Sequence, residues 1–267
     1  PLPDTPETRR DMADYIDAVQ VMDLNMGQVL EALDRTGLSA NTLVICTTDH
    51  GIAFPDMKCN LTDHGLGVML LMRGPGGFEG GAVIDELVSH VDLFPTICEL
   101  AGIDAPDWLV GNSMLPMVRG EVASIRDEIF GELNIHASYE PQRAIRTKRW
   151  KYIRHFDSNR HRRLANCDES LSKDLWKQCG WLHENELPEH RLYDLMLDPQ
   201  ERNNLAADPE HAQTIKALQH TLDQWMEQTE DPIRLGRMPA PEGLDLNINA
   251  IDDKSPNDPL VPWHGVS

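Results

Sequence analysis

The architecture of this chain is limited above all by a short, continuous apolar run, Thr42-Leu-Val-Ile-Cys-Thr47. The run is bounded by polar residues and lacks the alternation of a half-exposed strand, which is typical of a strand buried on both faces of a parallel sheet. It follows a predicted helix over residues 7–36, with Thr5 and Pro6 suited to its start and Gly37 to its end. A helix followed by a buried strand indicates an α/β fold.

The apolar side chains of this long helix recur near the 3.6-residue period of one helix face, so we expect the stripe to lie in the core. Its members are Met12, Tyr15, Ile16, Val19, Met22, Met26, Val29, Leu30 and Leu33. A second buried strand is predicted from Val68 to Met72, and a helix capped by Ser89 is predicted from Val91 to Ala101.

The pattern changes after residue 120, where short strand-like segments suggest a small antiparallel sheet. A helix capped by Asp208 follows from Pro209 to Gln228, while residues 157–190 form a polar excursion. The strand-like segments are Glu128–Leu133, Arg143–Thr147, Lys151–Phe156 and Leu192–Leu195. Most basic residues near the predicted hairpin are expected on its surface, namely Arg146, Lys148, Arg149, Lys151 and Arg154.

These segments predict three regions. Residues 1–120 are part of a main α/β domain, 121–230 form a small antiparallel subdomain with a helix, and 231–267 form an extended proline-rich tail.

Composition excludes some classes of protein. Lys and Arg number 24 against 44 for Asp and Glu, a formal net charge of −20, which argues against a nucleic-acid partner. An anionic small substrate stays possible, because one local cation or metal can invert the field inside a cleft. No apolar run approaches the roughly 18 residues of a membrane helix, so no membrane contact is expected.

The five cysteines form no Cys-x-x-Cys pair, which argues against structural zinc. A disulfide between Cys167 and Cys179 is left open. No signal-peptide pattern occurs in the chain, so its compartment is unknown.

The chemistry of the chain is concentrated directly after the first strand, in Thr47-Thr-Asp-His-Gly51. Ligands of open α/β sheets bind outside the carboxyl ends of strands. There Asp49 and His50 offer a carboxylate oxygen and an imidazole nitrogen to a divalent cation, and Gly51 lets the backbone turn sharply. The alternative is that Asp49 caps a turn beside a surface histidine.

The next residues carry a resemblance. Ile52-Ala-Phe-Pro-Asp-Met-Lys58 is followed by Asp63-His-Gly65 and then by a strand that ends at Arg73-Gly-Pro75. The segment 41–75 resembles the sulfatase family of the alkaline-phosphatase superfamily. It is most similar to the heparan N-sulfatase (sulfamidase) branch, which has a basic residue at the position of Lys58.

Further segments resemble the family in the same order, although Met69 stands where a proline is common. The resemblance implies the C-terminal part of an alkaline-phosphatase-like mixed sheet flanked by helices, plus a small antiparallel sheet-and-helix subdomain. The matching segments are Ser89–Ile97 with Gly102, Arg143–Thr147 with Trp150–Ile153, and Leu192–Leu195 with Asp198, Pro199, Glu201, Asn204 and Leu205.

The resemblance also implies roles. Asp49 and His50 would ligate a divalent metal, usually calcium in this family, although the imidazole leaves manganese or zinc possible. Lys58 would be catalytic, binding a sulfate oxygen and stabilising charge on the leaving group. A surface position is the alternative for Lys58 and for His64. The candidate substrate-binding residues are His64 and, on the predicted small sheet, Glu132, His136 and Arg143.

One departure concerns the nucleophile. Sulfatases use a formylglycine made from the first residue of Cys/Ser-x-Pro-x-Arg, and no cysteine here has that context. The resemblance implies that a missing N-terminal half, or a partner chain supplying it, carries the formylglycine. We therefore expect the 267 residues alone to be inactive. A periplasmic, lysosomal or secreted location would be usual for the family.

The sequence thus predicts the C-terminal portion of a sulfuric ester or sulfamate hydrolase that acts on a sulfated saccharide. One alternative is a phosphodiesterase or phosphonate hydrolase of the same superfamily. Another is a non-catalytic glycan-binding subunit in which Asp49, His50 and Lys58 are relics.

Overall fold

A computed structural model describes most of the chain and shows an α/β fold. The described residues are 2–158, 160–179, 186–236 and 238, with the backbone of 245–246 and 261–262. The chain divides into two compact units. One unit comprises residues 1–13, 49–68 and 130–267, and the other comprises 14–48 and 69–129. The predicted domain ranges stay a prediction.

The unit of residues 14–48 and 69–129 contains most of helix α1, which spans Pro6–Thr36 and confirms the predicted helix. Strands β1 (Val44–Thr47) and β2 (Leu70–Arg73) follow it. They pair antiparallel, with Val44 opposite Arg73, and their side chains are only partly buried. The expectation that β1 pairs in parallel and is buried on both faces was wrong. An apolar run in the sequence does not determine the direction of the neighbouring strand or what covers each face.

The apolar stripe of α1 is not the core that its period predicts. Ile16, Met22 and Val29 are exposed, whereas Met26 is half-buried and its sulfur lies 3.3 Å from that of Cys46. Helical periodicity determines which residues share a face, but not whether that face is covered.

In the same unit a 3₁₀ turn, His90–Asp92, leads into α3 (Leu93–Ala101), as predicted. Gly102 ends α3 with a φ of 68°, the left-handed conformation that favours glycine. The short helix α4 covers Leu115–Val118.

The other unit is built on a four-stranded sheet in the order β3-β4-β5-β6, and it confirms the predicted small sheet. Antiparallel registers place Ala144 opposite Ile153 and Lys151 opposite Tyr193. The strands are β3 (Glu128–Ile135), β4 (Tyr139–Thr147), β5 (Trp150–His155) and β6 (His190–Asp194).

The two faces of this sheet are covered by different parts of the chain. Helix α6, Ala212–Gln228, packs on the face of Ile145, Tyr152 and Leu192. A 3₁₀ turn at Pro209–His211 precedes α6, and Asp208 accepts a hydrogen bond there as predicted.

On the opposite face Ala144, Ile153 and Tyr193 pack with Leu61 and Leu66. The segment 49–68, which includes the short helix α2 (Asp63–Leu66), therefore belongs with this sheet. This packing is what positions the candidate site.

The polar region 157–190 also contains a helix, α5 (Leu171–Gln178), which composition did not reveal. The backbone N–H of Ser172 donates to the buried carboxylate of Asp11 at 2.6 Å. Cys167 is buried, Cys179 is exposed and neither is in a disulfide, so the open question of a bridge is answered in the negative.

The predicted tail begins with a 3₁₀ turn, Pro232–Leu235, and includes two antiparallel strands, β7 (Asp245–Leu246) and β8 (Val261–Pro262). The remainder after Gly236, apart from Met238, lies outside the described residues. Among the helices described, none has the length and apolar character needed to cross a membrane.

Candidate functional site

The Asp49–His50 pair lies at the start of the segment that packs on the four-stranded sheet. His50 Nδ1 lies 2.6 Å from the carbonyl oxygen of Gly51, and His50 Nε2 lies 3.4 Å from Asp49 Oδ2. Because a carbonyl oxygen only accepts, Nδ1 carries the proton, and Nε2 is the ring nitrogen that faces the carboxylate. The two residues thus present an oxygen and a nitrogen donor side by side.

The turn after this pair depends on two glycines. Gly51 donates its N–H to the carbonyl of Gly65 at 3.0 Å, and a Cβ on Gly51 would lie 1.8 Å from the His64 carbonyl oxygen. A Cβ on Gly65 would lie 2.1 Å from the Asn60 carbonyl oxygen. The segment is therefore folded on itself so closely that neither position has room for a side chain.

Lys58 lies in the same segment, between two residues in the left-handed region, Asp56 (φ 62°) and Cys59 (φ 56°). Its N–H donates to the Ile52 carbonyl at 3.1 Å, and its side chain is 17% exposed. Its Nζ lies 3.8 Å from Asp168 Oδ1, outside hydrogen-bond distance. A part-buried ammonium that is not hydrogen-bonded to this carboxylate is suited to a further anionic group.

Cys59 is not a nucleophile in this setting. Burial raises the pKa of its thiol to about 11, although the charge of Lys58 opposes that shift. The thiol therefore stays protonated at neutral pH.

His64 lies on α2, and its Nε2 is 3.4 Å from the Gln200 carbonyl oxygen. Burial lowers the pKa of the imidazole, and it is therefore neutral at pH 7.

Glu132 and His136 lie at the β3 end of the sheet. The Glu132 carboxylate is 57% exposed, and His136 is exposed at the turn between β3 and β4. Both side chains are accessible to a ligand in solution.

Arg143 is placed differently, because it is fully buried on the α6 face of the sheet, on the side of Ile145. Its Nε and Nη2 donate to the Asp231 carboxylate at 2.5 and 2.8 Å. The segment of Asp49 packs on the opposite face, so it is not brought together with Arg143 or with Glu132, whose Oε2 lies 3.8 Å from Arg143 Nε.

The sequence also missed a buried cluster, because Lys151 was expected on the hairpin surface and is instead fully buried. It contacts the carboxylates of Asp63 and Glu201. Its place in the alternation of β5 was the available signal, since it shares a face with the core residue Ile153.

No group of three or more His, Cys, Asp or Glu residues suited to a metal ion occurs in the part of the chain that the structure describes. Asp49 and His50 fit a divalent cation as two of its ligands. The remaining ligands would come from elsewhere.

Known proteins share this fold and these segments. Residues 2–103 match the family model Sulfatase, and residues 54–174 match the model N-sulphoglucosamine sulphohydrolase, C-terminal. The Ulvan-active sulfatase of Formosa agariphila is 30% identical over 228 residues, covering 82% of this chain and 44% of that protein. The N-sulphoglucosamine sulphohydrolase of Homo sapiens is 30% identical over 265 residues, covering 86% of this chain and 50% of that protein.

The solved structure of a 2-O GAG sulfatase superposes with a TM-score of 0.62 at 26% identity, over 80% of this chain and 42% of that one. The chain thus belongs to the sulfatase family, a family of hydrolases. Within the family, its residues 54–174 are similar to the C-terminal region of the N-sulphoglucosamine sulphohydrolases. The chain spans about half the length of the curated relatives it matches.

Proposed function

We propose that this chain is the C-terminal portion of a sulfatase that releases sulfate from a sulfated saccharide. Two similar proteins are named as an Ulvan-active sulfatase and an N-sulphoglucosamine sulphohydrolase, and this supports the substrate class. Assays on N-sulfated and O-sulfated sugars decide whether the sulfate is bound through nitrogen or oxygen.

The arrangement of Asp49 and His50 carries the proposal. The Gly51 carbonyl holds the His50 Nδ1 proton, so that Nε2 and the Asp49 carboxylate are available to one divalent cation. A bound cation would neutralise the negative charge of a sulfate group. The carboxylate oxygen favours calcium, and the imidazole leaves manganese or zinc open.

Lys58 is proposed to bind a sulfate oxygen and to stabilise the charge that develops on the leaving group. Its position supports this role, because the side chain is largely buried and its ammonium lies 3.8 Å from the Asp168 carboxylate, outside hydrogen-bond distance. His64, neutral at pH 7, and the accessible His136 are proposed to contact the saccharide. Arg143, buried against Asp231, and Glu132, whose Oε2 lies 3.8 Å from Arg143 Nε, are not included in this proposal.

The nucleophile is proposed to be a formylglycine in the rest of the protein. No cysteine of this chain is followed by x-Pro-x-Arg, so the N-terminal half or a partner chain would supply it.

The test is sulfate release by the longer polypeptide that contains this chain, from N-sulfated and O-sulfated glucosamine separately. We expect Lys58→Ala to lower kcat/KM about 100-fold, whereas the matched control Lys216→Ala, on the exposed side of α6, leaves it unchanged. Equal activity of the two variants would contradict the role of Lys58. Turnover of a phosphonate monoester in place of both sulfated sugars would favour the phosphonate hydrolase.

Metal titration separates the enzyme from a binding subunit. Calcium and manganese are titrated separately by calorimetry, and Asp49→Asn is expected to weaken binding at least about tenfold. A protein that binds the saccharide but neither metal would be the non-catalytic subunit.

A further inference from the structure

The buried side chain of Lys151 links three separate parts of the chain. Lys151 lies on β5, directly opposite Arg146 on β4 and Tyr193 on β6. Its ammonium contacts Asp63 Oδ1 and lies 3.1 Å from Glu201 Oε1. A fully buried ammonium requires carboxylate partners, and these two residues provide them.

Asp63 also contacts Arg146 and the second oxygen of Glu201. Arg146 donates from Nε at 3.1 Å and from Nη2 at 3.0 Å to the Asp63 carboxylate. The backbone N–H of Asp63 donates to Glu201 Oε2 at 2.5 Å. Two basic side chains face two carboxyl groups, which makes the burial of the cluster tolerable. Burial raises the pKa of Glu201, and the charge of Lys151 opposes that shift.

The backbone that follows Asp63 reaches the candidate metal pair. His64 and Gly65 form the surface against which Gly51 packs, through the Gly51–Gly65 hydrogen bond of 3.0 Å. The Gly51 carbonyl in turn accepts the hydrogen bond of His50 Nδ1. A continuous series of contacts therefore runs from Lys151 through Asp63 and Gly51 to the imidazole.

We propose that Lys151 and Glu201 are positioning residues, which clamp Asp63 and thereby hold Gly51 and the His50 ring in the orientation that a cation requires. The metal role rests on the proposed function above, whereas the clamp itself does not. The cluster also accounts for two family-like segments that the proposed chemistry leaves unused, around Trp150-Lys-Tyr152 and Asp198-Pro-x-Glu201.

The electrostatics of Asp63 agree with a clamp. Burial alone would raise its pKa, but the hydrogen bond from Arg146 and the charge of Lys151 outweigh burial and lower it. Asp63 therefore stays ionised, and holds both cations, throughout the neutral range.

Hydrophobic contacts give the segment a second attachment to the sheet. Leu61 and Leu66 pack with Ala144 and Ile153 on the same face. Loss of the clamp is therefore expected to loosen the turn at Gly51 without detaching the segment.

Hydrogen exchange of the Gly51 amide in the full chain tests the clamp without any substrate or metal. We expect Lys151→Met to increase this exchange rate about tenfold or more. The matched control is Arg149→Met, which removes an ion pair with Asp194 on the same hairpin. The control is expected to leave Gly51 exchange unchanged. An unchanged rate in folded Lys151→Met, or an equal increase in the control, would overturn the proposal.

A second variant and a spectroscopic signature keep the test decisive if Lys151→Met does not fold. Glu201→Gln retains an oxygen for the Asp63 N–H but removes the partner charge of Lys151, and a smaller increase in Gly51 exchange is expected. The ¹⁵N shifts of the His50 ring report its tautomer. We expect a single Nδ1–H form in the natural chain and a mixture in both clamp variants. A single unchanged tautomer in both variants would refute positioning.

Metal titration of the same proteins then distinguishes the two proposals. If Lys151→Met and Glu201→Gln bind calcium or manganese more weakly than Arg149→Met does, both the metal role and the clamp are supported. Absence of metal binding in the natural chain, with the exchange and tautomer changes present, would overturn the metal role and leave the clamp standing.

Discussion

Arg143 and Asp231 are 88 residues apart in the chain and form a two-point hydrogen bond of 2.5 and 2.8 Å inside the protein. The pair joins β4 to the residue that precedes the last 3₁₀ turn, with Arg143 fully buried and Asp231 5% exposed. Burial would raise the pKa of Asp231, but the hydrogen bond from Arg143 outweighs it and lowers the pKa. The pair is therefore ionised and structural.

Removal of one partner should be costly. We expect Arg143→Met to lower the free energy of unfolding by about 3–5 kcal/mol, because it leaves the Asp231 carboxylate buried without its cation. Urea denaturation measures this loss, with Arg154→Met, on the more exposed pair with Asp223, as the control. A loss below about 1 kcal/mol would show that the pair is dispensable.

Acid should destabilise the unit that contains the four-stranded sheet, because three of its aspartates are paired with basic side chains. The pKa values of Asp63, Asp194 and Asp231 are all lowered from the ordinary 3.8. The stability that they contribute is fully present above pH 3.8 and is lost as the pH falls through the lowered values. Unfolding free energies measured from pH 5 to pH 2 should show this decline.

Asp194→Asn isolates one contributor to the acid effect. The hydrogen bond from Arg149 is the largest cause of the lowered pKa of Asp194. The variant should therefore be less stable than the natural chain at pH 5, and the difference should shrink as the pH falls through the lowered pKa of Asp194. A difference that is constant over the whole range would contradict the linkage.

Gly51→Ala should distort the candidate site, because its Cβ would lie 1.8 Å from the backbone oxygen of His64. We expect a loss of about 1–3 kcal/mol in unfolding free energy, as for other overpacked positions. Gly27→Ala in α1 is the matched control, since no atom lies within 4 Å of its Cβ position, and it should be neutral or stabilising. Equal stability of both variants would mean that the turn at Gly51 relaxes freely.

The stability of the unit of residues 14–48 and 69–129 should depend strongly on Asp92. Its carboxylate is fully buried and accepts from the N–H groups of Ser89 and Asn112, each at 2.8 Å, and from Arg126. Asp92→Ala leaves these donors unpaired, so thermal unfolding should show a loss of about 3 kcal/mol or more. Asp127→Ala serves as the control, since Asp127 is exposed and follows Arg126 in the chain. A similarly small loss of stability in both variants would contradict this role.

The 267 residues alone should release no sulfate from sulfated glucosamine above the level of their Lys58→Ala variant. The physical reason is the lack of a nucleophile, since burial raises the pKa of Cys59 and Cys167 to about 11 and no cysteine has the formylglycine context. Ion chromatography of released sulfate makes this measurement. Release that depends on Lys58 would show that the chain holds a nucleophile of its own.

Local patterns in the sequence determined most of the elements. The α1 helix, the small antiparallel sheet and the helix capped by Asp208 followed from periodicity and capping residues, because these are properties of neighbouring positions in the chain. The position after the first strand indicated Asp49 and His50 as a predicted site, and the resemblance to the sulfatase family added Lys58. The family relationship was confirmed by comparison. Their chemical roles stay predictions.

Tertiary structure decided what covers each face and which charges meet. The sequence could not show that the stripe of α1 would be exposed, that β1 would pair antiparallel, or that Lys151 would be buried while Arg149 is not. Each of these depends on residues tens of positions away, such as Asp63 and Glu201 for Lys151. A charged side chain is buried only where its partners converge on it, and that convergence is a property of the folded chain rather than of any local pattern.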